Sequence, residues 1–296
     1  MRYSIKRCDW EITTKCNLNC KHCLINHYSK GELSLKSCLL VINLLNKLGC
    51  KQINFTGGEA LIKNGFFKIL AYSKKKKISN NLFTNGTQIS KENVNKIKNY
   101  ISYIGVSIEG MEKENDFIRG QGSYKKTISC LALLNKNKIP FGAYLTLNKT
   151  NVKHLEIILK KIKAFDPFNI SINEIVLRGR ARKNKMRLYK KINKKEIFDF
   201  LKRIFPNERF KLEEGCTANP RNIFLTSEGK IYLCTEIQQC NKKKYLGSLI
   251  PFKFNTAPLL NKFSKINLHK ECPYAAYISK HITLNFLTGK KCPYLK

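Results

Sequence analysis

Two periodicities alternate over the first two thirds of the chain. Short runs rich in β-branched and aromatic residues predict strands, whereas longer segments with apolar residues three and four positions apart predict helices. The predicted strands are residues 4–13, 52–56, 78–84, 103–108, 141–147 and 170–177. The predicted helices are residues 33–48, 65–77, 91–100, 124–138, 152–165 and 194–205.

Segment 33–48 shows the helical pattern most clearly, because Ser34 can cap its start and Gly49 follows its end. Each predicted strand is followed by a helix, as in a parallel sheet, whose neighbouring strands need crossover connections. A closed barrel of this kind needs about eight strand–helix units. The six units therefore predict an α/β fold, specifically a partial (β/α)6 TIM-like barrel.

The composition and the pattern of the sequence change after Phe205. Six of the eight prolines and five of the twelve cysteines lie beyond it, and the strand–helix alternation stops. Within this part, IFLTSEGKIYLC predicts a β-hairpin, because alternating apolar residues flank a turn at Ser227, Glu228 and Gly229. We expect a barrel core at residues 1–205 and a small cysteine-rich α+β extension at residues 206–296.

The net charge of the chain does not by itself identify the class of partner. The chain has 56 Lys and Arg against 20 Asp and Glu, a net charge of +36. Such a charge attracts nucleic acid, acidic peptides or anionic membranes. The abundance of Lys, Asn and Ile throughout equally fits a compositional bias of the genome. The densest basic stretch, residues 178–195, also resembles a solvated helix face.

Cellular location follows from what the sequence lacks. It has no run of about 18 apolar residues and no apolar segment near its start, which excludes a membrane-spanning protein and a secretory signal. We therefore expect a cytoplasmic protein. In a reducing cytoplasm, twelve cysteines favour metal binding or catalysis over disulfides.

The loop after the first predicted strand carries three cysteines. Cys16, Cys20 and Cys23 follow a C-x3-C-x2-C spacing, and parallel α/β folds place their chemistry at the carboxyl ends of strands. Structural zinc normally takes four protein ligands, and no fourth is evident. Three thiolates on a 4Fe–4S cluster leave one iron open for chemistry. Zinc and accidental spacing are the alternatives.

Further motifs follow the next three strands. The segments CNLNCKHC, FTGGEAL, LFTNGT and GVSIEG together resemble the radical S-adenosylmethionine (SAM) superfamily. The segment DFIRGQGSYKKTISCL and the tripeptide GRA at residues 179–181 resemble its peptide-modifying, sulfatase-maturase-like branch. The resemblance covers about residues 3–205. It implies an enzyme that reductively cleaves SAM to a 5′-deoxyadenosyl radical, which abstracts hydrogen from a substrate carbon.

The resemblance also implies roles for individual residues. Cys16, Cys20 and Cys23 would hold the 4Fe–4S cluster whose open iron binds the methionine part of SAM. The SAM contacts implied are Gly57, Gly58, Glu59, Asn85, Ser107, Glu109 and Arg119. No general acid or base is identified.

Each implied contact has a chemical reason. The two glycines permit close backbone approach, and Glu59 would pair with the ammonium group of SAM. Asn85, Ser107 and Glu109 would contact its ribose and carboxylate, and Arg119 its carboxylate. The alternatives are a helix-terminal acid for Glu59 and an exposed surface residue for Arg119. His22 is interpreted as a packing residue.

The cysteines beyond residue 205 predict a second metal centre. The hairpin brings Cys216 and Cys234 together, and their C-x12-G-x4-C spacing resembles the start of a SPASM/twitch extension. We expect one auxiliary 4Fe–4S cluster held by four of five cysteines, with structural zinc as the alternative. The five are Cys216, Cys234, Cys240, Cys272 and Cys292. Cys8, Cys38, Cys50 and Cys130 lie on strand or helix patterns and are expected to be buried without a chemical role.

The leading hypothesis is a maturase in ribosomal peptide biosynthesis that forms a cross-link or thioether, or epimerises or oxidises a residue. Expected partners are a peptide substrate, an acidic leader peptide or separate leader-binding protein, and a reductase or flavodoxin as electron donor. Because the first strand begins near residue 4, we expect a leader-binding module to be absent or encoded elsewhere.

Two alternatives belong to other classes. One is radical chemistry on a small molecule such as a sugar or cofactor precursor. The other is a metal-stabilised, basic nucleic-acid-binding protein, which is disfavoured because no aromatic-interleaved RNA motif is present.

Overall fold

The computed structural model describes residues 4–25, 31–185, 194–206, 209–214, 221–232, 247–248 and 282–287. Its strands are β1 (Arg7–Thr13), β2 (Gln52–Gly57), β3 (Ser79–Thr84), β4 (Tyr103–Ser107), β5 (Phe141–Leu147), β6 (Asn169–Glu174), β7 (Arg209–Glu214), β8 (Asn222–Leu225), β9 (Lys230–Tyr232), β10 (Gly247–Ser248) and β11 (Ile282–Leu287). Its α-helices are α1 (Leu35–Lys47), α2 (Phe66–Lys75), α3 (Val94–Tyr100), α4 (Glu112–Arg119), α5 (Ser123–Lys136), α6 (Leu155–Lys163), α7 (Gly179–Lys183) and α8 (Lys194–Ile204).

The strands form one unclosed sheet in the order β10-β9-β8-β1-β2-β3-β4-β5-β6-β11-β7. Strands β1 to β6 lie in chain order and pair in parallel with their neighbours. The six predicted strand–helix units and the partial barrel are therefore confirmed. Because these strands are parallel, their carboxyl ends lie at one edge of the sheet.

Strands from the last third of the chain continue this sheet at both sides. Strand β8 pairs in parallel with β1, whereas β11 pairs antiparallel with β6 and β7. The predicted hairpin is formed by β8 and β9, with Gly229 in the left-handed region at φ +84°. A division into units at residues 1–205 and 206–296 stays a prediction.

Helix α1 forms where its pattern predicts. The Ser34 hydroxyl accepts a hydrogen bond from the Ser37 amide at 3.2 Å, so Ser34 is the N-cap. The buried side of the helix, Cys38, Val41, Ile42 and Leu45, packs against the sheet. Capping satisfies an amide that the first turn leaves without a helical partner, and apolar burial attaches the helix to the core.

The core lies between the sheet and its helices. Trp10 of β1 stacks on Phe55 of β2, with ring centroids 5.8 Å apart, and Phe55 meets Phe66 of α2 edge-on. Cys8, Cys38, Cys50 and Cys130 are buried in this core, as predicted. Burial raises the pKa of each of these thiols, to about 11 for Cys38 and about 12 for Cys50. They are poor nucleophiles at neutral pH.

Two helices were not predicted from the pattern. Helix α4 has few apolar positions, and one of them, Phe117, is exposed, while its buried face includes Asn115, Asp116 and Arg119. Helix α7 has only five residues. Neither carries the apolar stripe by which a helix is recognised in sequence. Among the residues described above, no helix is both long enough and apolar enough to span a membrane.

Candidate functional site

A cavity of about 460 Å³ lies at the carboxyl ends of strands β1 to β6. Cys16, Cys20 and Cys23 line it, and so does every predicted SAM contact except Glu59. Because the carboxyl ends of parallel strands lie at the same edge of the sheet, residues more than 100 positions apart in sequence meet in this cavity. The cysteines beyond residue 205 lie outside the described residues.

The cysteine loop is held in place from helix α7. The Arg180 guanidinium donates through Nε to the Cys20 carbonyl at 2.8 Å, and the Arg180 amide donates to the Cys23 carbonyl at 2.9 Å. Gly179, at φ +51°, leaves no room for a side chain, since a Cβ would lie 2.5 Å from the Cys23 and Leu24 carbonyl oxygens. The GRA tripeptide thus fixes the backbone of the loop, a role its sequence alone does not reveal.

The cysteine thiols face the cavity without converging on one point. Burial raises the pKa of Cys20 to about 11, although the charge of Arg119 opposes the rise, and burial also raises the pKa of Cys16. Within the described ranges, no three His, Cys, Asp or Glu side chains are grouped as ligands of a single metal ion. In a 4Fe–4S cluster each thiolate binds a different iron, so its ligands need not meet at one ion.

Gly57 and Gly58 allow two backbone segments to approach closely. A Cβ on Gly57 would lie 2.1 Å from the Thr13 carbonyl oxygen, and one on Gly58 would lie 2.0 Å from that of Lys15. The Gly58 amide donates to the Thr13 carbonyl at 2.8 Å. Both positions thus require glycine because their backbones contact the residues at the start of the cysteine loop. Contact with SAM stays a prediction for both.

Glu59 is fully buried and is not among the residues that line the cavity. Its carboxylate accepts hydrogen bonds from the Leu61 amide at 3.2 Å, from the Thr84 hydroxyl at 2.8 Å and from the Asn85 amide at 2.9 Å. Burial raises its pKa, and these hydrogen bonds oppose the rise. Through the contact with Leu61, Glu59 caps a short 3₁₀ helix at Ala60–Ile62, as the alternative of a helix-terminal acid predicts. A contact with the SAM ammonium stays a prediction.

Asn85 connects the end of β3 to the cysteine loop. Its Nδ2 donates to Asn17 Oδ1 at 2.9 Å and lies 3.9 Å from the Cys16 sulfur. The Thr87 amide donates to Asn85 Oδ1 at 2.9 Å, which orients the side chain. Ser107, the last residue of β4, lines the same cavity. Their contacts with SAM stay predictions.

An ion pair forms part of the cavity wall. Arg119 Nη2 lies 2.5 Å from Glu109 Oε1, and His22 Nε2 lies 3.0 Å from the same oxygen. The Thr146 amide donates to the other Glu109 oxygen at 2.8 Å. Burial alone would raise the pKa of Glu109, but the adjacent charges of His22 and Arg119 outweigh it and lower the pKa to about 2.

This ion pair excludes the alternative given for Arg119 and corrects the interpretation of His22. Arg119 is only 7% exposed, so it is not a surface arginine. The interpretation of His22 as a packing residue is wrong, because its ring is hydrogen-bonded to Glu109. Arg119 Nε is buried and has no hydrogen-bond partner among the described residues. It is a donor left over for a ligand.

Glu11 is a cavity residue that the sequence analysis missed. It lies in β1 with only 4% of its surface exposed, and it lines the cavity. Burial raises its pKa to about 7, and the charges of Glu228 and Glu32 add to the rise. The sequence offers no signal for it, because β1 reads RCDWEIT and Glu11 stands in the same alternation of polar and apolar residues as Arg7 and Asp9.

Comparison with known proteins identifies related chains. The model of the radical SAM superfamily matches residues 10–162. Fe-coproporphyrin III synthase of Methanosarcina barkeri is 31% identical over 179 residues, which are 59% of this chain and 45% of that protein. The sporulation killing factor maturation protein SkfB of Bacillus subtilis is 28% identical over 185 residues, 59% of this chain and 43% of SkfB. The chain thus spans less than half the length of these curated relatives.

One crystal structure extends the likeness to most of the fold. Streptococcus suis SuiB bound to the precursor peptide SuiA matches with a TM-score of 0.68 at 14% identity. The match covers 91% of this chain and 66% of the SuiB chain. At this identity the match shows that the two proteins share a fold.

Proposed function

Because this chain belongs to the radical SAM superfamily, whose model matches residues 10–162, we propose that it is an enzyme that modifies a peptide through radical chemistry. One observation carries the proposal: three cysteine thiols on one loop share a cavity with the ion pair of Glu109 and Arg119. Membership of the family implies a 4Fe–4S cluster and SAM as cofactors.

The residues present fit these groups. Cys16, Cys20 and Cys23 offer the soft sulfur ligands that iron–sulfur clusters take. The unpartnered Arg119 Nε offers a charged donor for a carboxylate. The chemistry that these cofactors supply when bound is reductive cleavage of SAM and removal of a hydrogen atom from a substrate carbon.

The protein's part is to hold these residues in position. Arg180 and Asn85 fix the cysteine loop from two sides. Glu109 orients Arg119, and the Thr146 amide fixes Glu109 in turn.

The relatives support a peptide substrate. SkfB is named for maturation of the sporulation killing factor, and SuiB was crystallised with a precursor peptide. The net charge of +36 suits an acidic leader peptide, presented alone or by a separate binding protein. A reductase or flavodoxin in the cytoplasm would supply the electron. The modification itself would be a cross-link, a thioether, an epimerisation or an oxidation.

A second candidate substrate is a small molecule. The relation to Fe-coproporphyrin III synthase, which is named for a small-molecule product, favours it. The two candidates are separated by incubating the reconstituted enzyme with any short peptide encoded beside its gene. A mass change in that peptide supports peptide modification, and an unchanged mass together with conversion of a porphyrin precursor contradicts it.

We also propose an auxiliary 4Fe–4S cluster held by four of Cys216, Cys234, Cys240, Cys272 and Cys292. What supports it is the spacing of Cys216, Gly229 and Cys234 and the hairpin formed by β8 and β9, which ends two residues before Cys234.

The test of the radical chemistry is anaerobic reconstitution with iron and sulfide, addition of SAM and dithionite, and detection of 5′-deoxyadenosine. The wild type should produce it, and a variant with Cys16, Cys20 and Cys23 changed to Ala should not. Cys38→Ala is the matched control, because Cys38 is a buried thiol outside the cavity. Equal yields from the wild type and the triple variant would refute the assignment.

A further inference from the structure

One carboxyl group in the cavity has an unmet hydrogen-bonding capacity. Glu11 Oε1 is buried and has no hydrogen-bond partner among the described residues. Its carboxylate accepts a hydrogen bond from the Ser227 backbone. Strand pairing places Glu11 opposite Thr56 of β2, and both residues line the cavity. The side chain therefore lies at the wall of the space in which a substrate would bind.

Three carboxylates of this region have a cationic partner, and Glu11 has none among the described residues. Glu32 pairs with Lys63 at 3.3 Å, and Glu228 pairs with Lys230. Across the cavity, Glu109 pairs with Arg119. No ion pair to Glu11 occurs in the part of the chain that the structure describes.

An ionised carboxylate that is buried without a counter-charge is destabilising, and protonation of the group avoids this cost. Burial, with repulsion from Glu228 and Glu32, raises the pKa of Glu11 to about 7. The group therefore carries a proton part of the time at neutral pH. Glu109, in the same cavity, has its pKa lowered to about 2. At neutral pH the two acids of this cavity therefore differ in charge: Glu109 is ionised and Glu11 only in part.

We infer that Glu11 is a recognition site for a positively charged N–H group of the substrate, such as a lysine ammonium. A cation at this position would supply both the missing hydrogen bond and the missing counter-charge. Hydrogen bonds to charged groups are worth about 1.5–3 kcal/mol, which corresponds to roughly ten- to a hundredfold in affinity. The inference rests on the proposed function only in that the cavity receives the substrate.

The inference implies a direction for the effect of pH on binding. A protonated Glu11 must lose its proton before it pairs with a cation, whereas a lysine ammonium stays charged to about pH 10. The affinity for a cationic ligand should therefore rise as the pH increases toward 7 and level off above it. An uncharged ligand of the same shape should show no such rise.

The test compares two probes that differ only by the terminal ammonium group of the side chain. Nα-acetyl-lysine N-methylamide and Nα-acetyl-norleucine N-methylamide are titrated into the reconstituted protein between pH 6 and pH 8 and followed calorimetrically. The wild type should bind the lysine probe about tenfold or more tightly than the norleucine probe at pH 8. In Glu11→Gln this preference should fall to near unity at every pH.

Glu174→Gln is the matched control, because it removes another carboxylate from the lining of the same cavity. It should keep the preference for lysine. Equal binding of both probes by the wild type, or loss of the preference in Glu174→Gln but not in Glu11→Gln, would overturn the inference.

A second measurement needs no variant. Binding of the lysine probe to the wild type at pH 7 should release protons, detected as a heat that depends on the ionisation enthalpy of the buffer, and no release would also overturn the inference. Formation of 5′-deoxyadenosine is a separate readout. Its absence contradicts the proposed function and leaves the discrimination between probes intact.

Discussion

The guanidinium of Arg119 lies 2.5 Å from the carboxylate of Glu109 at a point where both side chains are almost completely buried. Removing one member of such a buried pair leaves the other charge unpaired, which costs about 3–5 kcal/mol. We expect Arg119→Met to lower the free energy of unfolding by about that amount at pH 7, measured by urea denaturation. The double variant Glu109→Gln/Arg119→Met should lose less, and a loss as large as that of the single variant would contradict the pairing.

The same pair predicts a pH window. The pKa of Glu109 is lowered in the folded protein from 4.5 to about 2. A lowered carboxyl pKa stabilises the fold above the unfolded value and loses that contribution as the pH falls through the folded value. Wild-type stability should therefore decline between pH 4.5 and pH 2 more steeply than that of Glu109→Gln. Parallel declines would show that Glu109 is not the group responsible.

Glu59 should behave as a structural acceptor for β2 and β3. Its carboxylate accepts hydrogen bonds from Leu61, Thr84 and Asn85. Glu59→Ala leaves these buried donors without an acceptor, which should lower the free energy of unfolding by about 1–3 kcal/mol. We expect a lower free energy of unfolding in denaturant, with Glu156→Ala, a partly exposed acid on α6, as the control. If SAM affinity falls instead while stability is unchanged, Glu59 acts on the ligand directly.

Gly58→Ala should disturb the start of the cysteine loop. The added Cβ would lie 2.0 Å from the Lys15 carbonyl oxygen, so the backbone must shift. Overpacking of this kind costs about 1–3 kcal/mol, and the displaced loop should take up less iron on reconstitution. Gly31→Ala is the control, because no atom of the described residues lies within 4 Å of its Cβ position. Equal iron content in both variants would argue against this reading of Gly58.

Arg180 should determine how firmly the cluster is retained. Arg180→Ala removes the hydrogen bond to the Cys20 carbonyl but keeps the backbone contact with Cys23. We expect faster loss of iron to a chelator from the reconstituted protein. Arg182→Ala, at an exposed position of the same helix, should lose iron at the wild-type rate. Identical rates for the two variants would show that the contact does not hold the loop.

The auxiliary cluster predicts residual iron. A variant lacking Cys16, Cys20 and Cys23 should still bind about four irons per chain, the content of one 4Fe–4S centre. Further removal of Cys216 and Cys234 should bring iron close to zero. Retention of about one zinc and no iron in the first variant would instead identify a structural zinc site.

The sequence predicts what depends on neighbours along the chain. The six barrel strands, the Ser34 cap and the hairpin turn at Gly229 follow from local periodicity and turn chemistry. The cysteine loop was found because its three ligands are close in sequence. Features of this kind need no knowledge of the tertiary fold.

What the sequence does not predict depends on distant partners. His22 is hydrogen-bonded to Glu109, which is 87 positions away in sequence, and Arg180 is hydrogen-bonded to Cys20, which is 160 positions away. Helix α4 escaped prediction because its buried face is polar and is stabilised by hydrogen bonds such as that from the Tyr124 amide to Asp116. The raised pKa of Glu11 likewise arises only in the folded protein, from burial of the side chain and, to a lesser extent, from the charges of Glu228 and Glu32.

The parallel strands have both of their outer edges covered by late parts of the chain. Arg7 of β1 pairs with Asn222, and Asn169 of β6 pairs with Leu287. During synthesis, the six barrel strands therefore leave the ribosome long before the strands that cover them. Until then, β1 and β6 expose unpaired backbone groups that can pair with other chains. A fragment cut after residue 205 would keep those edges permanently, so aggregation is the hazard for any attempt to produce the barrel alone.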